Sequence, residues 1–133
     1  MTTKDYLRQV QLRDERLKLE REKLERLRAA VEYRSPAFEG GGCGGSDKSA
    51  ALDKLVDMEH RYDHMAAEYI AFYDEVNERI GQIGDGVLRE VLERRYLLYQ
   101  KWEDIAAAMN YTVRHITRLH GEALKKMSLN VHI

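Results

Sequence analysis

The chain has 133 residues, of which 34% are charged and 44% apolar, and a formal net charge of −1. That length holds one or two small domains, and the near-neutral total excludes overall charge as the means of meeting nucleic acid, leaving any such contact to a local patch. A single proline and few runs of alternating β-branched residues favour helices over sheets.

The charge is unevenly spread. Residues 1–45 carry ten Lys/Arg and eight Asp/Glu, and residues 46–93 carry five against twelve. Residues 94–133 carry seven against three, with His115, His120 and His132 in addition, so the C-terminal segment is about +4. The one cysteine, Cys43, cannot form an internal disulfide, which fits a reducing compartment. The N-terminus lacks the apolar core of a signal peptide and no apolar run approaches a membrane span. A cytoplasmic protein with no membrane contact is expected.

Residues 4–33 read as one long helix. Val10, Leu17, Leu24 and Val31 recur every seven residues, with Leu7 and Leu27 beside that stripe and Leu12 and Leu19 widening the face. Asp14/Lys18, Arg16/Glu20 and Glu22/Arg26 are spaced as helix neighbours. The stripe resembles half of a coiled-coil seam, but Arg13 and Glu20 fill positions where a strict coiled coil has apolar residues. Ser35-Pro36 ends the helix, and the glycine-rich run 39–46 continues a flexible loop over 35–47. That loop lacks the Lys-Ser/Thr pair and the preceding strand of a phosphate-binding P-loop.

Ser46 or Asp47 can cap the next helix, which runs to about Gly81. Leu52, Leu55, Val56, Met58, Tyr62, Met65, Ala66, Tyr69, Ile70, Tyr73, Val76 and Ile80 step along it by threes and fours. The connecting loop is short enough to fold the two long helices into an antiparallel, coiled-coil-like hairpin over residues 1–83. The hairpin either pairs within one chain or joins two chains in a homodimer. Gly81, Gly84 and Gly86 break the pattern. Asp85 then caps a third helix, about 86–97, with Val87, Leu88, Val91, Leu92 and Tyr96 inward.

Residues 102–109 form a short helix with Trp102, Ile105, Ala106 and Met109 inward and Glu103 and Asp104 in its first turn, where the helix dipole favours anions. Asn110-Tyr111 makes a tight turn, and Asn tolerates the left-handed conformation that a helix end needs. Thr112 caps a second helix from Val113 to about Met127, with Ile116, Leu119, Ala123 and Leu124 inward. Two helices joined by so short a turn match the helix-turn-helix unit, and Ala106 supplies the small residue where they cross. The fold expected is all-α: the hairpin, then a three-helix helix-turn-helix domain over 84–133.

In a helix-turn-helix, the start of the second helix enters the major groove of DNA. Val113, Arg114, Thr117, Arg118 and Gly121 share its outer side, flanked by His115 and His120. Arg114 and Arg118 can point into the groove together, and Arg bidentate to guanine is the commonest specific base contact. Val113 and Thr117 offer methyl groups to thymine, and His115 assists. Thr112, at the helix start, suits a phosphate. Arg94, Arg95, Lys101, Lys125 and Lys126 are better placed for the DNA backbone than for bases.

Arg95-Tyr96-Leu97, Trp102-Glu103-Asp104-Ile105-Ala106 and the run from Tyr111 to Met127, ending Ala123-Leu124-Lys125-Lys126-Met127, resemble the fourth conserved region of bacterial sigma factors, which reads the promoter −35 element. The likeness covers about residues 86–127. The whole chain, with its charged first helix and glycine-rich loop, resembles small phage- and prophage-encoded sigma-like regulators of Gram-positive bacteria. The resemblance implies a sequence-specific regulator of phage or prophage promoters in the bacterial host cytoplasm. It also implies contact with RNA polymerase at the flexible flap of the β subunit. The family's groove-facing positions carry over to Val113, Arg114, Thr117 and Arg118. Val113 and Thr117 stand where the family often has long polar readers, so the operator is not carried over. The chain also has no room for the sigma region that melts the −10 element.

Asp57, His60, His64 and Glu68 step along one helix face, but Arg61 follows the first His where the zinc-protease motif has Glu, and a solvated face is the default. No nucleophile, base and orienting group sit in a recognisable frame, so neither an enzyme, a cofactor nor a small-molecule substrate is expected. Tyr96 and Trp102 read as core rather than base-stacking residues. The alternatives of another class are a small-terminase-like DNA-packaging protein and a helical protein–protein interaction module.

Overall fold

The computed structural model describes residues 1–34 and 45–130, and every element in them is helical. The elements are α1 (Thr3–Arg34), α2 (Gly45–Gly81), α3 (Gly86–Leu92) with a π-helical turn (Glu93–Leu97), α4 (Trp102–Met109) and α5 (Val113–Asn130). Ser35-Pro36, most of the glycine-rich loop with Cys43, and His132 lie outside the described residues. The second helix begins at Gly45, so Ser46 and Asp47, expected as its caps, fall within its first turn. None of the described helices is long and apolar enough to cross a membrane.

The chain divides into two compact units, residues 1–14 with 69–133, and residues 15–68. The first unit holds the main core. Leu7 and Val10 of α1, Val76 and Ile80 of α2, Ile83, Leu92 of α3, Ile105 of α4, and Ile116 and Met127 of α5 are buried in one cluster. This core takes in residues on both sides of position 83. At its edge Tyr6 meets Phe72 edge-on, with ring centroids 5.5 Å apart, and the Arg13 guanidinium lies 4.0 Å from the centre of the Phe72 ring. In the second unit Leu24 is buried and lines a small cavity of about 30 Å³ with Met58, Tyr62 and Met65. There Arg28 pairs with Glu59, Nη2 to Oε1 at 3.0 Å.

The apolar faces are narrower than the sequence pattern suggests. Leu12 and Leu19, expected to widen the face of α1, are exposed. At about 100° per residue each lies two positions, or roughly 200°, beyond Val10 or Leu17, on the far side of the helix. Leu52, Val56 and Ile70 of α2 are exposed as well, Ile70 at 65%. The seam of α2 in the first unit is Tyr69, Phe72, Tyr73, Val76 and Ile80, and Ile70 falls one step outside it. Val87, expected inward on α3, is exposed.

Asp85 stands at the start of α3 in an extended conformation and accepts hydrogen bonds from the Val87 and Leu88 amides, the Val87 bond at 2.9 Å. Asp85→Ala is therefore expected to cost about 1 kcal/mol of stability, read from the midpoint of a urea transition with an unchanged slope. The third helix does not continue regularly to residue 97. From Glu93 it widens into the π turn, in which the Leu98 amide bonds the Glu93 carbonyl at 3.1 Å. Arg94 and Arg95 close the segment on Gln100, through its side-chain oxygen at 3.4 Å and its carbonyl at 2.9 Å. Tyr99, inside that closure, has φ of 57°. A left-handed backbone costs a side-chain-bearing residue about 1–2 kcal/mol. The Tyr99 hydroxyl is bonded to that of Tyr69 at 3.2 Å, which helps to hold it there.

Candidate nucleic-acid interface

The candidate interface consists of α4, the turn 110–112 and α5. Asn110 ends α4 with φ 60° and ψ 41°, the left-handed conformation expected of it, and its amide bonds the Ala106 carbonyl. Tyr111 donates to the same carbonyl at 3.0 Å. Thr112 then caps α5, its Oγ1 accepting from the His115 amide at 3.1 Å. The chain thus leaves one helix and starts the next within three residues. The two helices pack through Ile105 and Ala106 on one side and Ile116 and Leu119 on the other, all buried. Ala106 is 5% exposed, so a larger side chain there would force the helices apart.

On the outer side of α5, Val113, Arg114, Thr117 and Arg118 are all exposed. The Thr117 hydroxyl donates to the Arg114 carbonyl at 2.9 Å, a local bond that leaves its methyl group as the apolar feature of the side chain. Arg118 Nη2 lies 2.9 Å from His115 Nδ1. A guanidinium only donates, so this bond requires an unprotonated Nδ1. His115 is half-buried, and its ring packs edge-on against Tyr111 with centroids 4.7 Å apart. Tyr111 is expected from the sequence as part of the tight turn and not as a partner of His115. Its exposed ring at the turn would have been found by asking which aromatic residues precede a helix cap.

His120 does not flank this face. It is 8% exposed and shares a hydrogen bond of 2.6 Å with the Tyr96 hydroxyl. The Trp102 ring meets it edge-on at 4.7 Å. Its position, four residues before Leu124 and one after Leu119, puts it on the inner edge of α5. Burial, with the positive charges of Lys4, Arg95 and Arg8, lowers its pKa to about 4. Burial also raises the Tyr96 phenol above its ordinary value, with Arg95 opposing that rise.

The residues expected at phosphates occupy two kinds of place. Lys101, Thr112, Lys125 and Lys126 are exposed. Arg94 and Arg95 are half-buried and engaged within the chain: Arg94 Nε lies 2.7 Å from Glu90 Oε2, and Arg95 lies 4.2 Å from the centre of the Trp102 ring. His60 and His64 are exposed, and His64 pairs with Glu68 at 2.8 Å. Among the described residues no three His, Cys, Asp or Glu side chains converge to hold a metal ion.

No protein-family model, curated protein or solved structure matches this chain.

Proposed function

We propose that the chain is a sequence-specific double-stranded DNA-binding regulator whose α4, turn and α5 form a helix-turn-helix. The observation that carries this reading is the exposed row Val113, Arg114, Thr117 and Arg118 at the start of a helix that follows a three-residue turn. An α-helix fits the major groove with its N-terminal residues at base edges. Arg114 and Arg118 read bases, with Val113, Thr117 and His115 assisting, while Thr112, Lys101, Lys125 and Lys126 hold phosphates.

The resemblance to the fourth region of sigma factors supports a promoter as the site and bacterial RNA polymerase as a partner, in phage or prophage gene control. The two long helices form the coiled-coil-like hairpin in this reading. The exposed Leu12 and Leu19 of α1, seven residues apart, are apolar positions open to a second copy of the chain.

The test is selection of bound sequences from random duplex DNA, with the wild type and an Arg114→Ala/Arg118→Ala variant in parallel at near-physiological salt. A sharp motif that the variant loses is the expected result. Absence of enrichment from the wild type would overturn the reading. Lys126→Ala gives a separate expectation: affinity falls nearly equally on all sequences, and the slope of log K against log salt flattens by about 0.9. Titrations at three or four salt concentrations on selected and scrambled duplexes measure it.

A further inference from the structure

A second basic site lies in the first compact unit, as a cleft open to solvent on the side of Lys4, Arg8 and Gln11. Lys4, Arg8 and Gln11 of α1 face Arg95, Tyr96 and Tyr99 around a space of about 230 Å³. We propose that this cavity is a binding site for a phosphate group, carried by a small phosphorylated molecule or by the backbone of bound nucleic acid.

Three observations converge on it. The first is the donor set. Lys4, Arg8 and Arg95 bring three cations to the cavity; Asp5 acts on Arg8 and the Asp14 carboxylate is hydrogen-bonded to Tyr99, so cations outnumber the carboxylates beside it. Arg95 is held in place by its bond to the Gln100 carbonyl at 2.9 Å and by the Trp102 ring. A guanidinium fixed in this way loses little freedom when it grips a phosphate, and its planar fork matches two phosphate oxygens.

The second is the backbone. The cavity wall on one side is the end of the π turn and Tyr99, with its φ of 57°. Widened helical turns and left-handed side-chain-bearing residues are both costly, and both concentrate at ligand sites. The third is electrostatic. After burial itself, Lys4, Arg95 and Arg8 depress His120, so their fields reach a common region of the interior beside the cavity. The volume is below the roughly 300–1,000 Å³ of sites for drug-sized ligands, which suits a phosphate with a small organic body rather than a dinucleotide.

The site is independent of the DNA-reading face, so it is tested without it. The full chain labelled with 15N is titrated with inorganic phosphate, against chloride at equal ionic strength. Saturable shifts at the amides of Gln11, Tyr96 and Tyr99 are expected with phosphate alone. The titration midpoint of His120 should rise as the bound anion offsets the three cations. Lys4→Ala/Arg8→Ala, both exposed positions, should weaken phosphate binding by about tenfold or more, and Arg8→Lys should restore part of it. Arg16→Ala, also on α1 but not among the residues that line the cavity, should leave it unchanged. Shifts that do not saturate, that chloride reproduces, or that survive in the Lys4→Ala/Arg8→Ala variant would overturn the proposal. The source is assigned by repeating the titration with duplex DNA bound. Competition assigns the phosphate to the DNA backbone, and undiminished binding assigns it to a free phosphorylated molecule.

Discussion

Arg114→Ala/Arg118→Ala is expected to reduce affinity for the selected operator by two to four powers of ten, while affinity for random duplex falls far less. Arg114 is the second residue of α5 and Arg118 lies one helical turn later, so their side chains leave the same side of the helix. Each guanidinium bidentate to a guanine is worth about 1–3 kcal/mol of discrimination. The pair together therefore carries about 2–6 kcal/mol if the two losses add. The singles should differ. Arg114 has no side-chain partner among the described residues, whereas Arg118 must give up its bond to His115 before it reaches a base. Arg114→Ala is therefore the costlier change. His115→Ala removes the competing bond as well as the help His115 gives at the bases, so the part of its effect that acts through Arg118 should vanish in an Arg118→Ala background. Fluorescence anisotropy on operator and scrambled duplexes at one salt concentration reads all five variants. Equal losses on both duplexes would show that these arginines meet phosphates and not bases.

What the sequence made legible, and what it did not, divides along physical lines. Local rules read well. Asp85, Asn110 and Thr112 are each placed by short-range chemistry, and each does in the structure what its residue type predicts. The span of α4 and the inner positions Ile105, Ala106, Ile116 and Ala123 follow from periodicity, because a short helix packed on one side has only one face to bury. Long helices read less well. On α1 and α2 the apolar residues outnumber the positions a seam can use, and periodicity does not say which of two adjacent stripes is covered. Leu12, Leu19 and Ile70 fit the inward pattern for that reason but are exposed, while Tyr6 and Phe72, which do meet, stand outside that pattern.

The widening of α3 into a π turn had no sequence signal either. An extra residue in one turn leaves helix propensity unchanged and becomes visible only when Arg94 and Arg95 are seen closing on Gln100. That widening also bears on the site. Arg95 lies within the widened turn and lines the cavity with Lys4 and Arg8, whereas a count of positive residues places it on the DNA backbone with Lys101. The outer row of α5 was legible because it needs only helical spacing. The cavity was not, because its members come from residues nearly ninety positions apart.

His120 gives the largest expected dependence of stability on pH. In the unfolded chain its imidazole titrates at the ordinary 6.5, and in the folded chain at about 4. Between those values the unfolded state binds more protons, so stability rises with pH through that window. The contribution is fully present above about 6.5, declines as the pH falls, and is gone below about 4. The gap corresponds to about 3 kcal/mol, a large share of a small domain's stability. The groups around the ring account for the sign. Lys4 and Arg8 of α1 and Arg95 of the π turn are all cationic, Trp102 of α4 is uncharged, and Tyr96 keeps its proton because burial raises its phenol. Among the described residues the charged groups that act on the ring are these three cations, and with burial they oppose the imidazolium. Urea unfolding of the full chain at pH 7, 6, 5 and 4.5 should therefore show a steady loss in the wild type. His120→Phe removes the titrating group and leaves the Tyr96 hydroxyl without its partner. That variant should be less stable at pH 7 by about 1–3 kcal/mol and lose much less between pH 6.5 and 4.5. If the wild-type and His120→Phe curves fall in parallel, the proton is taken up elsewhere and the buried Tyr96–His120 pair does not set the acid limit of the fold.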